Sequence, residues 1–167
     1  VLHRAGAGVG DKRWAHAYKQ ELRDSRVLGT RTIANAVAGL DVKPRVLISA
    51  SAVGYYGDTG DRVVEESTPA GNDFLAKLSV EWEDAAAPAA AAGIRVVHPR
   101  TGLVVSAKGG AWGKLFPLFR LGLGGRRGSG EQQWPLLAAA PPHHPLRFAV
   151  DNASFLGARH LSHPPAP

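Results

Sequence analysis

The chain has 167 residues, of which 44% are hydrophobic and 20% charged, as expected for one globular domain with a real core. The absence of cysteine excludes disulfides, thiolate metal sites and a cysteine nucleophile, and no apolar run approaches the roughly 18 residues that cross a bilayer. The net charge of +6 comes from basic residues scattered along the chain, which argues against a dedicated nucleic-acid surface. We therefore expect a cytoplasmic protein without a membrane or nucleic-acid partner.

Helical and extended patterns alternate from the first residue onward. The predicted elements are a strand end over 1–7, a helix over 11–39, a strand over 45–49, a long loop over 51–73, a helix over 74–92 and a strand over 94–97. Asp73 is a suitable N-cap for the second helix, and Pro88 should kink it. This alternation predicts an α/β fold, a partial Rossmann-like parallel sheet flanked by helices.

The regular pattern fades after a short predicted helix over 111–121. A glycine and arginine loop follows over 122–130, and residues 135–145 show no periodicity. We therefore predict a domain over 1–134 and an irregular tail over 135–167. Four histidines, at 143, 144, 160 and 163, lie in this proline-rich stretch, and we expect no metal site there.

Serines mark the carboxyl end of the strand in VLISASAVGYYG, residues 46–57. Open α/β sheets bind ligands beyond the carboxyl ends of their strands, where a serine can bond a substrate hydroxyl or carbonyl. This segment resembles the strand-end serine motif of extended short-chain dehydrogenases. Further motifs sharpen the likeness to the NAD-dependent epimerase/dehydratase family: DKRW at 11–14, RDSRVLGTR at 23–31, NDFLAKLSVEWE at 72–83, HPRTGLVVS at 98–106 and FRLGLGGRRGSG at 119–130.

The resemblance implies a cofactor, NADP or NAD, and a small-molecule substrate. Ser51 matches the serine that polarises the substrate. The positions matching strand ends beside the cofactor are Ala5, Gly6, Ser49, Arg100 and Thr101.

Two departures from the family pattern affect this prediction. Active relatives carry a tyrosine and, four residues later, a lysine, which together transfer the proton. Here these positions hold Phe74 and Leu78, and Lys77 lies about 100° around the helix. The usual acid/base is absent, so Tyr56 becomes a candidate replacement, with a packing role for Tyr55 and Tyr56 as the competing interpretation.

The second departure is at the ends. No strand, glycine-rich turn and helix for the pyrophosphate precede Val1, and the chain has no methionine, so we expect an amino-terminal truncation that removes the first βαβ units. Alanines, prolines and histidines after Trp134 replace the pattern of relatives, which suggests a reading-frame error.

The predicted function is an NAD(P)-dependent oxidoreductase of the epimerase/dehydratase type, acting on a nucleotide-sugar-like or other hydroxyl or carbonyl substrate, with this chain alone inactive. One alternative is a non-catalytic dinucleotide-binding sensor or scaffold, which Phe74 favours. A second alternative is a basic nucleic-acid-binding module.

Overall fold

The structure is a computed structural model that describes residues 1–107, 109–126, 128, 130, 133–138 and 143–162. The strands are β1 (Leu2–His3), β2 (Val46–Ser49), β3 (Ser51–Ala52), β4 (Arg95–Thr101), β5 (Leu103–Val105), β6 (Leu136–Ala138) and β7 (Gly157–Leu161). The helices are α1 (His16–Ala38), α2 (Phe74–Asp84), α3 (Ala87–Ala91), α4 (Gly110–Arg120) and α5 (His143–Asp151), and a 3₁₀ turn covers Val53–Tyr56.

All described strand pairs are parallel, which confirms the predicted fold class. The strand order of the main sheet is β1-β2-β4. After Ala50, β3 extends β2 and pairs with β4 in the same register. β7 also pairs with β4, from Val97 through Thr101. β5 and β6 form a separate two-stranded parallel sheet.

The buried side chains of helix α1 recur about every four residues, which is the spacing of one face of a helix. The buried positions are Tyr18, Leu22, Arg26, Thr30, Ala34 and Val37. This spacing places them on one face of a helix, which packs on the sheet. The helix ends at Gly39, whose N–H bonds to the Asn35 carbonyl, close to the predicted end.

Apolar side chains cover both faces of the central strands. On one face, Leu47 and Val96 pack with Ala34, Val37, Ala86 and Ala89 of the helical layer made by α1, the turn after α2, and α3. On the other face, Val46, Ile48 and Val97 pack against Ala149 of α5. Alternate residues of β2 and β4 therefore point to opposite helical layers, as parallel strands buried on both faces require.

Three regions differ from the prediction. The predicted helix over 74–92 is two helices, and Pro88 lies in the first turn of the second, where its missing N–H costs nothing. The predicted loop over 51–73 contains β3 and the 3₁₀ turn.

The expectation of an irregular tail over 135–167 differs most from the structure, because β6, α5 and β7 lie there. Pairing with β5 and β4, rather than any local periodicity, places these two strands. Part of the stretch suspected of a frame error (residues 139–142) and the end of the chain (residues 163–167, including His163) lie outside the described residues.

Candidate functional site

The carboxyl ends of β3 and β4 open onto a cleft of about 430 Å³, called here the carboxyl-end cleft. Its walls are the β3 end (Ala52, Val53, Gly54), one face of α2 (Leu75, Leu78, Ser79, Trp82), the β4 end (Thr101, Gly102, Leu103), residues 133–135, Val9 and Arg26. Most of these side chains are apolar. The cleft lies where an open parallel α/β sheet is expected to bind its ligand.

Arg26 is a cation in the wall of the carboxyl-end cleft. It is 9% exposed, and its guanidinium donates to the carbonyl oxygens of Leu22, at 3.1 Å, and Ala7, at 2.9 Å. The guanidinium also lies 5.1 Å from the centre of the Trp82 ring. Burial lowers the pKa of Arg26 from its ordinary value, because the charged form loses hydration.

A second polar group, called here the arginine–glutamate cluster, consists of Ser51, Tyr56, Glu83, Arg100 and His160. Arg100 binds both oxygens of Glu83, with Nε and Nη2 each 2.9 Å from a carboxylate oxygen. The Ser51 hydroxyl donates to the same carboxylate at 2.5 Å. The side chains of Arg100 and Glu83 are 4% and 13% exposed, so they form a largely buried, bidentate ion pair.

The other side of Arg100 is closed by tyrosines. Its Nη1 donates to the Tyr56 hydroxyl at 2.7 Å, and its guanidinium lies 3.4 Å from the centre of the Tyr55 ring. The Tyr56 hydroxyl also lies 2.5 Å from Nε2 of His160 on β7. Arg100 therefore joins α2, β4 and the 3₁₀ turn, and Tyr56 extends the connection to β7.

The pKa shifts in the arginine–glutamate cluster follow from burial and pairing. Burial opposes ionisation of Glu83, but hydrogen bonds from Arg100 and Ser51 outweigh it, so the pKa of Glu83 is lowered. The same pairing raises the pKa of Arg100 against the effect of burial. Burial raises the pKa of Tyr56, only partly offset by Arg100, so Tyr56 stays a protonated phenol at neutral pH.

Buried His3 and Ser49 and half-buried His98 form a polar row across β1, β2 and β4. His3 pairs with Ser49 in register, and His98 follows Val97, the partner of Ile48. Among the described residues, His3 Nε2, Ser49 Oγ and His98 Nδ1 are buried without a hydrogen-bond partner. Burial lowers the pKa of both histidines, which favours their neutral forms.

The residues predicted from sequence are divided between these regions. Thr101 lines the carboxyl-end cleft, and Ala5 and Gly6 are exposed beyond the end of β1. Ser49 is fully buried, and Ser51, Tyr56 and Arg100 belong to the arginine–glutamate cluster. Their catalytic or cofactor roles stay predictions.

Phe74 and Leu78, which stand where relatives carry tyrosine and lysine, have packing contacts. The Phe74 ring meets Trp14 edge-on at 5.6 Å, with Lys19 Nζ 5.2 Å above it. Leu78 is buried with Tyr18 and Leu22 and forms part of the cleft wall.

Arg26, Glu83, His98 and His160 were not predicted from the sequence as members of a site. Arg26 had a detectable signal, because it lies four residues from both Leu22 and Thr30 on the buried stripe of α1. An arginine on such a stripe predicts a buried cation that needs partners. Glu83 and His160 had no local signal, since their partners are distant in the chain.

Within the described part of the chain, no three histidine and carboxylate side chains come together as metal ligands. No described helix combines the length and apolarity needed to cross a membrane. The cytoplasmic location stays a prediction.

The parallel sheet between helical layers, with its cleft at the carboxyl ends, defines a Rossmann-type α/β protein. The model of the NAD dependent epimerase/dehydratase family matches residues 1–137. An epimerase family protein of Mycobacterium bovis is 44% identical over 164 residues, which cover 98% of this chain and 54% of that protein. The chain therefore belongs to the NAD dependent epimerase/dehydratase family, and the resemblance seen in the motifs is confirmed.

Two solved structures extend the comparison. The human epimerase family protein SDR39U1 (isoform 2), crystallised with NADPH, is 28% identical with a TM-score of 0.87, over 96% of this chain and 55% of its own. A nucleoside-diphosphate sugar epimerase from Corynebacterium glutamicum is 36% identical with a TM-score of 0.82, over 95% of this chain and 33% of its own. The family description and the human structure confirm NADP or NAD as the cofactor class of the family.

The chain spans about half the length of the curated relatives that it matches, 54% in the case of the Mycobacterium bovis protein.

Proposed function

We propose that this chain supplies the carboxyl-end cleft of an NAD(P)-dependent oxidoreductase of the epimerase/dehydratase type, acting on a hydroxyl or carbonyl substrate. The observation that carries the proposal is the position of the cleft, at the carboxyl ends of β3 and β4 and against α2. Family membership supports the cofactor, since the human relative was crystallised with NADPH. The relative from Corynebacterium glutamicum, named as a nucleoside-diphosphate sugar epimerase, supports a nucleotide-sugar-like substrate.

The residues beside the end of β1 are the ones that we propose to face the cofactor. Ala5 and Gly6 are exposed there, and a Cβ on Gly6 would lie 3.1 Å from Arg26 Cγ, so a side chain at position 6 would press on Arg26 in the cleft wall. Ala5, Gly6 and Thr101 would hold the nicotinamide end of the cofactor. When bound, the cofactor supplies or accepts a hydride at the substrate carbon.

Ser51 is the residue that we propose to polarise the substrate oxygen. It lies at the start of β3, one residue before the cleft wall at Ala52. Its proton is donated to Glu83 in the structure, so a substrate oxygen has to take over that hydrogen bond. Tyr56 is a proposed proton donor rather than a base, because burial raises the pKa of its phenol.

The test is a titration of the chain with NADPH and with NADH, followed by the fluorescence of the reduced nicotinamide. We expect saturable binding that Gly6→Ser weakens. Gly10→Ser is the matched control, because a Cβ on Gly10 meets no atom within 4 Å. Failure of both cofactors to bind would contradict the proposal for this chain.

A second candidate function is non-catalytic binding of the dinucleotide. The observation that favours it is the packing of Phe74 against Trp14 and of Leu78 in the cleft wall, which replaces the proton-transfer pair by apolar contacts. Incubating NADPH with the protein and a panel of aldehydes and ketones separates the two functions. Cofactor oxidation that Ser51→Ala abolishes supports the enzyme, and binding without oxidation supports the sensor or scaffold.

A further inference from the structure

Arg26 differs from the other buried arginine in the kind of partner it has. Arg100 pairs with the Glu83 carboxylate, whereas the described contacts of Arg26 are two backbone carbonyls and the face of Trp82. No carboxylate of the described residues forms an ion pair with Arg26. A guanidinium has five N–H donors, so donors remain beyond the two hydrogen bonds to Leu22 and Ala7.

An incompletely paired cation in a buried position is costly, and such a cost is often met by a ligand of opposite charge. Arg26 is 9% exposed and forms part of the cleft wall. Its neighbours in the cleft include Trp82, Leu75 and Val9, which offer apolar surface rather than hydrogen bonds. The cleft therefore combines one cation with an apolar enclosure.

We propose that Arg26 is a specificity-determining residue that binds the carboxylate of an apolar substrate in the carboxyl-end cleft. This inference rests on the proposed function only in taking this cleft as the ligand site. The planar guanidinium is suited to a carboxylate, which it can bind with two parallel N–H donors. Trp82 and Leu75 would contact the apolar body of the same molecule.

Hydrogen bonds to the backbone hold the Arg26 guanidinium in a position where it can bind a carboxylate. The bonds to Leu22 and Ala7 fix its guanidinium between α1 and the segment after β1. Gly6 allows that position, because a Cβ there would lie 3.2 Å from Arg26 Cζ. The guanidinium is thus oriented before a ligand arrives, which reduces the entropy lost on binding.

The experiment compares phenylacetate with phenylacetamide, two ligands of the same shape that differ in charge. Binding to the 167-residue chain is measured by ligand-detected NMR titration without cofactor. We expect phenylacetate to bind about tenfold more tightly than phenylacetamide, as typical of a charge-assisted hydrogen bond. Arg26→Gln should remove that difference, and Arg26→Lys should retain part of it.

Arg23→Gln is the matched control, since Arg23 lies on the same helix and its side chain is 43% exposed and paired with Glu81. It should leave phenylacetate binding unchanged. Circular dichroism establishes whether each variant is folded; if Arg26→Gln is not, the acid and amide comparison on the unaltered chain decides. Equal binding of acid and amide overturns the inference, as does phenylacetate binding that survives in folded Arg26→Gln.

NADPH is titrated into the same variants to distinguish a substrate carboxylate from the cofactor phosphates. Arg26→Gln should weaken phenylacetate much more than NADPH. The reverse order would assign Arg26 to the cofactor and overturn the inference. Because phenylacetate binding is measured without NADPH, a failure of the proposed oxidoreductase function would leave this result standing.

Discussion

Helix α2 contributes side chains to two regions that contain the same kind of cation in different surroundings. In the arginine–glutamate cluster, Arg100 binds a carboxylate, a phenol and the Glu66 carbonyl, so its charge and several of its donors are satisfied within the chain. In the carboxyl-end cleft, Arg26 meets only carbonyls and a ring among its described contacts. The difference indicates that Arg100 holds elements of the fold together and that Arg26 is available to a ligand.

The contrast between the two regions also distinguishes the residues that were predicted from the sequence, because some of them bond within the protein and another faces the cleft. Ser51 and Arg100 were predicted from the resemblance to contact the substrate or the cofactor, yet their side chains bond inside the cluster. Thr101, the next residue after Arg100, lines the cleft. Adjacent residues of a strand point to opposite faces, so one residue can brace the fold while its neighbour contacts a ligand.

The largest expected effect comes from breaking the buried ion pair. Arg100→Met leaves the Glu83 charge buried without its partner, which should lower the free energy of unfolding by about 3–5 kcal/mol. Arg23→Met removes a half-exposed arginine of α1 that pairs with Glu81 of α2, and should cost less than about 1 kcal/mol. Urea unfolding measures both values. Equal losses in the two variants would contradict the structural role assigned to Arg100.

A smaller effect is expected from filling the edge of the cleft. A Cβ on Gly102 would lie 3.1 Å from the Pro135 carbonyl carbon and closer still to its oxygen. Gly102→Ala should therefore destabilise the chain by about 1–3 kcal/mol and displace residues 133–135. Gly54→Ala, whose Cβ would meet Leu75 Cβ at an ordinary 3.5 Å, is the control and should change stability by less than about 0.5 kcal/mol. Thermal unfolding distinguishes the two variants. If Gly102→Ala leaves the stability unchanged, the backbone at Pro135 is not packed tightly against Gly102.

The smallest effect is a dependence of stability on pH that comes from His3 and His98. The pKa of His3 and of His98 is lowered by burial, so in the folded state each stays neutral below the ordinary value of 6.5. As pH falls through 6.5 the unfolded chain takes up protons first, and stability decreases until the folded pKa is reached. Each unit by which a pKa is lowered corresponds to about 1.4 kcal/mol.

His98→Asn should flatten this decrease, whereas the same change at exposed His16 should leave it intact. The charges of Glu83, Asp84 and Arg100 also act on the pKa of His98. The pKa of Glu83 is lowered from its ordinary value of 4.5, so a further loss of stability is expected as the pH falls below 4.5. Urea unfolding at a series of pH values measures both steps. A flat profile between pH 6.5 and 4.5 would contradict neutral, buried histidines.

Much of the sheet and the helical layer formed by α1, α2 and α3 could be predicted because their signals are local. The four-residue spacing in α1 and the β-branched run in β2 specify an amphipathic helix and a buried strand without reference to the rest of the chain. β7 could not be predicted in this way. Its sequence, GARHL, has little apolar character, and it is a strand because β4 offers an unpaired edge.

The site was harder to predict than the fold for the same reason. Resemblance pointed to Ser51 and Thr101 but gave no indication that Ser51 donates to Glu83, since that partner lies 32 residues away on α2. Arg26 was within reach of a simple argument, because it interrupts an otherwise uncharged buried stripe of α1. Charged residues on buried faces therefore merit the same attention as recognised motifs.

The most direct test of the account is hydrogen–deuterium exchange of the chain with and without saturating NADPH. We predict slower exchange in the segments that form the cleft, residues 52–54, 75–79 and 101–103, and no change in α5 on the opposite face. Protection centred on α5, or binding of NADPH with no protection at these segments, would contradict the assignment of the carboxyl-end cleft as the ligand site.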